Sequence, residues 1–365
     1  MIVGEAFRNG LGNLDPGMWH YRPGSPVPAY LSMVEVAQMG DGFDAATLAS
    51  VAPRLYHGAS RLVSIPHPET GAETPWRFEI DSDTGAILGP VGADYHCVAP
   101  SAIFDLIGQL GFRFTTAGRL GENGEILFAC NPLKGFAVTR RDGDPDPIET
   151  FLQWRKGFAG LSAIHGDVST TRTVCKNTLT AAVGSAQLSV RVPHTVQWAA
   201  MLAAAAEQVK VAVGNLPLLA RTFQACERID CSADQLASML RDILGARTRE
   251  DRAATAEVID ILGGERVQTD GERGKRAETI RTRKVEQVVD LFRTGPGNRG
   301  ASWWDALNAV TDYADHYSDV RGCGEDRGAQ ERRRYVNALL NRTRLKQDAL
   351  DYILTETPVR ELVAA

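Results

Sequence analysis

The chain has 365 residues, 44% hydrophobic and 23% charged, with a formal net charge of -5. That length suits two or three ordinary domains with a sizeable core, and it excludes disorder as the general state. Forty basic residues against 45 acidic ones exclude a protein coated in positive charge, while leaving room for a local basic groove.

The first residues, MIVGEAFRNGLG, have no basic segment leading into an apolar one, so a secretory signal is not expected. Residues 1–30 are rich in Gly and Pro and predict an irregular arm. PAYLSMVEVAQMG (28–40) predicts a short amphipathic helix, and DAATLASVAP (44–53) a second. From about 60 to 150 the pattern turns to β. RLVSIPH and PWRFEIDSDTGAILG predict two strands or a hairpin turning at Asp83–Gly85. APSAIFDLIGQLG (99–111) predicts a helix with a Ser cap and a glycine stop. FRFTTAGRLGENGEILFACN is the clearest hairpin, with Asn123-Gly124 as its turn signal. GFAVTRR (135–141) predicts a further strand ending at DGDPDP.

FLQWRKGFAGLSAIHG (151–166) fits either a strand or a helix. Next, Ser169 or Thr170 is placed to cap a helix running to about Val183. The remainder reads as helical. VQWAAMLAAAA (196–206) belongs to the strongest helix, and it is too short to cross a membrane. SADQLASMLRDILG (232–245) opens on Ser232 as N-cap. Residues 264–284 carry seven basic and three acidic side chains, leaving out Glu265 at the edge, and predict a basic loop. Helices follow at 284–293, at 302–319 and from about 327 to 355. The expected fold is α+β: a mainly antiparallel sheet with β-hairpins and a packed helix, then an α-helical half. The expected divisions are an arm with short helices (1–54), a β-rich core that binds single-stranded DNA (55–185) and a helical region (186–365).

Catalytic motifs are absent: no P-loop, no dinucleotide fingerprint, no HExxH and no GxSxG. No catalytic residue and no cofactor is expected. Six cysteines, Cys97, Cys130, Cys175, Cys226, Cys231 and Cys323, form no CxxC pair. Free thiols in a reducing cytoplasm fit them better than a zinc site.

The densest stretch is SWWDALNAVTDYADHYSD (302–319). On a helix, Asp305, Asn308, Asp312, Asp315, His316 and Asp319 share an arc of roughly 100°. Trp303, Leu307, Val310, Ala314 and Tyr317 lie opposite. One reading makes Asp305, Asp312 and His316 a divalent-cation site of a nuclease or hydrolase. The favoured reading is a docking helix whose acidic side is solvated or meets following cations such as Arg327, Arg344 and Lys346.

A second pattern interleaves Lys134, Arg140, Arg141, Arg155, Lys156, Arg172 and Lys176 with Phe136, Trp154 and Phe158. Single-stranded nucleic acid is held by such mixtures, cations on phosphates and aromatic faces on bases. Arg155, Lys156, Arg172 and Lys176 are the first candidates for phosphate, and Trp154 for stacking. Ordinary surface cations are the alternative, because acids are interspersed.

RTVCKNTLTAA (172–182) and WWDALNAVTDYADH (303–316), in that order, resemble the signature regions of the phage/plasmid-like family known as domain-of-unknown-function family 932. Asp312 stands where that family's pattern usually has Glu. The resemblance covers roughly residues 55 to 350 and implies mobile-element biology. The hairpins and helix are also similar, at the level of fold, to single-strand annealing proteins of the Red-beta, Erf and Rad types. That similarity implies an ATP-independent annealing protein of a recombination module, with single-stranded DNA as partner and a ring or filament of copies. An exonuclease or single-strand-binding protein is a further implied partner. A non-catalytic interaction protein of a mobile element is the remaining alternative.

Overall fold

The computed structural model describes residues 2–3, 33–120, 126–172, 178–179, 189–244, 272–318, 330 and 344–364. The Gly/Pro-rich arm beyond Val3, the Asn123-Gly124 turn, Lys176, Cys175, Cys323 and Arg327 lie outside the described residues. So do residues 264–271 of the expected basic loop.

In chain order the chain runs β1 (Ile2–Val3), β2 (Met33–Phe43), α1 (Ala45–Val51), α2 (Pro53–His57), β3 (Ser60–Pro66), β4 (Glu73–Asp81) and β5 (Ile87–Val91). It continues through α3 (Pro100–Gln109), β6 (Phe114–Leu120), β7 (Ile126–Thr139), β8 (Pro145–Gly157), β9 (Ile164–Arg172), β10 (Thr178–Leu179) and β11 (Ser189–Val192). Then come α4 (Trp198–Gly214), α5 (Leu216–Arg228) and α6 (233–244). α7 (Glu272–Thr294), α8 (Trp303–Asp312), a π turn (Tyr313–Tyr317), α9 (Leu345–Glu356) and α10 (Val359–Ala364) complete it.

The fold is α+β, as the pattern predicts. The large sheet has the order β1-β2-β6-β7-β8-β9-β10, with β11 also on β9. A separate sheet has the order β3-β4-β5. Every pairing is antiparallel. One hydrophobic core joins the sheet to the helices, with Phe43, Phe104, Phe114, Trp154, Phe223, Phe292 and Trp304 among its large members.

Several local expectations are corrected. The helix expected at 28–40 gives way to β2, which pairs with β6 from Met33↔Leu120 to Phe43↔Phe114. GFAVTRR is no separate strand; it continues β7 beyond a bulge between Leu133 and Phe136. The 151–166 ambiguity resolves as strand, with Trp154 opposite Ala129 and Gly166. Ser169 and Thr170 cap nothing. They sit in mid-strand opposite Phe151 and Thr150, where β-branched neighbours fit the pleat. Residues from 272 onward form α7 where a loop was expected. α3 starts at Pro100, whose fixed φ suits the first helical position, with Ala99 as its N-cap in place of Ser101.

Other expectations hold. Ser232 Oγ accepts from Gln235 N at 3.2 Å, and Gln235 Oε1 accepts from Ser232 N at 2.8 Å, a reciprocal capping box. At the β4–β5 turn, Asp81 Oδ1 accepts from Asp83 N and Thr84 N, both at 3.0 Å, and Gly85 takes φ +73°.

Candidate functional site

The stretch that opens at Ser302 folds as a capped helix: Ser302 Oγ accepts from Asp305 N at 3.2 Å. All ten residues of α8 are buried, the acidic ones included. The acidic side is therefore enclosed: of the two expected conditions, solvated or met by basic side chains, it takes the second.

The reason is a set of ion pairs reaching in from the sheet. Arg140, at the end of β7, donates through Nη2 to Asp305 Oδ1 at 2.7 Å. Its Nη1 lies 3.1 Å from Glu227 Oε2 and 3.9 Å from Asp146 Oδ2. Asp146, on β8, accepts from Arg172 Nε at 2.9 and 2.8 Å and from Trp304 Nε1 at 2.9 Å. Arg172 spends its other nitrogens on Asn298 Oδ1 at 2.8 Å, Gly297 O at 2.8 Å and Pro296 O at 3.2 Å. Ser302 Oγ donates to Glu227 Oε2 at 2.8 Å. Three carboxylates thus converge on two guanidinium groups, and β7, β8, β9, α5 and α8 meet there. Burying such charges costs several kcal/mol per ion, offset here by the close pairing of opposite charges and by the hydrogen bonds that Arg172, Trp304 and Ser302 add, while Arg140 Nε and Nη1 make no hydrogen bond among the described residues.

Asp305 and Asp312 are about 10 Å apart along the helix axis. Asp305 belongs to Arg140, whereas Asp312 Oδ1 lies 3.9 Å from His316 Nε2 across the π turn. Asp315 forms a buried pair with Lys346, one of the cations expected to face this helix. Asp305, Asp312 and His316 therefore do not converge. Among the described residues no group of three or more His, Cys, Asp or Glu is placed to hold a metal ion.

A second polar cluster lies under the small sheet. Glu79 accepts from Ser60 Oγ, from Ala159 N and, at 2.7 Å, from Tyr95 OH. Asp81 Oδ2 accepts from Arg119 Nη1 at 2.9 Å. Lys156 is fully buried over the Phe158 ring, and its Nζ has no hydrogen-bond partner among the described residues. Burial pushes the Lys156 ammonium down to about 7, against the pull of Glu79. Burial raises Glu79, but Lys156 and the three donors outweigh it and hold the carboxyl below its ordinary value. His194 is also buried, and burial, helped by Lys156, takes that imidazole down to about 4 against hydrogen bonding to the His96 and Ser162 backbone.

These two clusters decide most of the expected DNA contacts. Arg140 and Arg172 belong to the first. Lys156 belongs to the second. Arg155 pairs with Asp167 in the core. Trp154 is 1% exposed, its ring laid over Gly166, where a Cβ would come within 2.8 Å. None of these can meet a phosphate or a base at the surface, which corrects their first assignment. Arg141 remains half-exposed and pairs with Asp230. Lys134 is exposed, on the bulge of β7. Cys97, Cys130, Cys226 and Cys231 are free thiols, and burial raises each of them.

Beside Lys134 the β7–β8 ribbon holds an open hollow of about 610 Å³, lined by Pro132, Leu133, Phe136, Ile148, Glu149 and Phe151 among others. Gly135 permits it: a Cβ there would meet Ile148 O at 2.7 Å. Sequence reasoning passed over this hollow and the carboxylates Glu79, Asp146 and Glu227. The signals were present in the acids of DGDPDP beside Arg140-Arg141, and in PWRFEID, where Arg77, Glu79 and Asp81 alternate with apolar residues.

The fold is thus an antiparallel sheet clamped to a helical half through buried ion pairs. A family model described as Domain of unknown function (DUF932) matches residues 87–339. The match spans well over half of the chain, which belongs to this family. The whole Arg140 clamp falls inside the matched range, whereas Glu79 precedes it. No curated protein and no solved structure matches the chain.

Proposed function

We propose that this chain binds single-stranded DNA and promotes annealing without ATP in a phage or plasmid recombination module, working as a ring or filament of copies. The hollow on the β7–β8 ribbon carries the reading. It combines a half-buried aromatic, Phe136, with apolar walls and the acid Glu149, and the exposed cation Lys134 is the chain neighbour of its lining residues Leu133 and Gly135. Bases stack on such surfaces without sequence preference while cations neutralise phosphates. The absence of NTPase motifs agrees with annealing, which needs no nucleotide hydrolysis. Phosphate contact passes from the buried cations to Lys134, with Arg141 available if it exchanges Asp230 for a phosphate.

The test is equilibrium binding of a fluorescent oligonucleotide, single-stranded against duplex, across a salt series. The expected result is preferential, salt-sensitive single-strand binding that weakens roughly tenfold in Phe136→Ala, in line with about 1–3 kcal/mol per stacked base. Salt-insensitive or absent single-strand binding overturns the reading.

A further inference from the structure

One side of the large sheet carries a row of three basic residues. Arg155 on β8 stands opposite His165 on β9, and His165 stands opposite Arg191 on β11. Direct cross-strand partners share a face, with Cβ atoms about 4.5–5.5 Å apart. The adjacent row, Trp154, Gly166 and Val190, faces the other way and packs into the core. Exposure grows along the basic row: Arg155 is buried, His165 is half-buried and Arg191 is exposed. The row therefore runs from the interior to the surface at β11.

Like charges set opposite one another destabilise a sheet, so two guanidinium groups flanking one imidazole call for an anion. Asp167 is the acid that acts on His165, and it is already engaged: Arg155 pairs with it and Ser189 Oγ donates to it. Burial first, then Arg155 and Arg191, push the His165 imidazole down to about 4 against the pull of Asp167. Among the described residues the side chains of Arg191 and His165 make no hydrogen bond or ion pair, and Arg155 Nε is buried without a hydrogen-bond partner. Unspent donors beside surplus positive charge suit an oxyanion, which a guanidinium meets with two parallel N–H groups.

We propose that Arg191 and His165 bind a phosphate group, Arg191 donating through its guanidinium fork, His165 through a ring nitrogen, and Arg155 adding positive charge from behind. The site is separate from the hollow beside Lys134 and does not rest on the annealing reading. The bound anion offsets the two arginines, so His165 holds a proton more tightly in the complex than in the free chain. The complex then carries more protons, and affinity rises as pH falls from the ordinary histidine value near 6.5 toward 4.

The test is an NMR titration of the full chain with sodium sulfate, a phosphate stand-in whose charge does not change in this pH range, exchanged against sodium chloride at constant ionic strength. The His165 ring resonance is assigned by its loss in His165→Gln. Sulfate should shift it saturably in wild type, with affinity roughly tenfold higher at about pH 5 than at about pH 7.5. Arg191→Gln should weaken binding about tenfold, and Arg191→Lys should weaken it less. In His165→Gln the Arg191 amide resonance should report binding that no longer varies with pH. Far-UV circular dichroism checks that each variant is folded. In a second arm an oligothymidylate, whose bases keep their charge in this range, competes with sulfate. Displacement assigns the site to the phosphates of a strand. Sulfate binding without displacement assigns it to a free phosphate compound, and the site then stands apart from any DNA contact. No saturable shift in wild type, unchanged affinity in Arg191→Gln, or wild-type binding that is the same at both pH values overturns the proposal.

Discussion

α8 and β4 both place charged residues inside the protein, yet they end in opposite conditions. On α8 and the π turn that follows it both sides are enclosed: the tryptophans meet Phe223 and Tyr352, Asp305 meets Arg140, and Asp315 in the π turn meets Lys346. On β4 the polar side alone is enclosed, and Trp76, Phe78 and Ile80 are left at the surface. The difference lies in what each side finds. A carboxylate goes inward when a buried guanidinium or ammonium and several donors await it; an apolar side chain remains outside when no other element covers its face. Polarity alone does not decide which face is wet.

The largest expected effect comes from breaking the enclosed side of α8. Arg140→Met leaves Asp305 and Glu227 buried without their guanidinium and should cost about 3–5 kcal/mol, read from urea unfolding. A loss below about 1 kcal/mol would mean the clamp is not the element that holds the sheet to the helices.

Next in size is the pH response of the region beneath β4. His194 in the folded chain titrates at about 4, lowered first by burial. An unfolded histidine titrates near 6.5. Between these values the unfolded chain holds more protons, so stability falls as pH drops through the window, by an order of 3 kcal/mol when complete. His165, also taken down to about 4 with burial as the first cause, adds to the same fall. Lys156 acts in a separate window: stability rises from about pH 7 toward its unfolded value near 10.4. Unfolding curves between pH 4 and 9 should show both slopes, and His194→Gln should flatten the acid one. A flat profile from pH 6.5 to 4 would show that these imidazoles are accessible to water.

The smallest stability effect belongs to the open side of β4. Trp76→Asp should change the urea unfolding free energy by no more than about 0.5 kcal/mol, as an exposed substitution does. A large stability loss would place Trp76 in the core and remove the contrast between the two elements.

The fold class was legible because hairpin signals and helical periodicity are local. Ser232, the Asp81–Gly85 turn and the β6–β7 pairing all follow from neighbours in sequence. The burial of cations was not legible. Arg155 and Lys156 are neighbours on β8 and point to opposite sides, and both are buried: Lys156 lies over Phe158 beside Glu79, Arg155 pairs with Asp167, and nothing within β8 itself announces that both sides are covered. Trp154 looked like a stacking platform for the same reason. Its ring rests on Gly166, a partner supplied by strand register and not by spacing along the chain. The 302–319 stretch was half legible: its tryptophan side docks as expected, and Lys346 meets Asp315. Arg140, 165 residues away from Asp305, could not be foreseen.

The central claim is tested most directly by the salt dependence of single-strand binding in wild type and Lys134→Gln. Each phosphate neutralised on a single strand contributes about 0.7 to the slope of log affinity against log salt. Wild type should bind single strands with a steep negative slope, and Lys134→Gln should lower that slope by about 0.7. Identical slopes in the two proteins, or no measurable single-strand binding at low salt, would contradict the account.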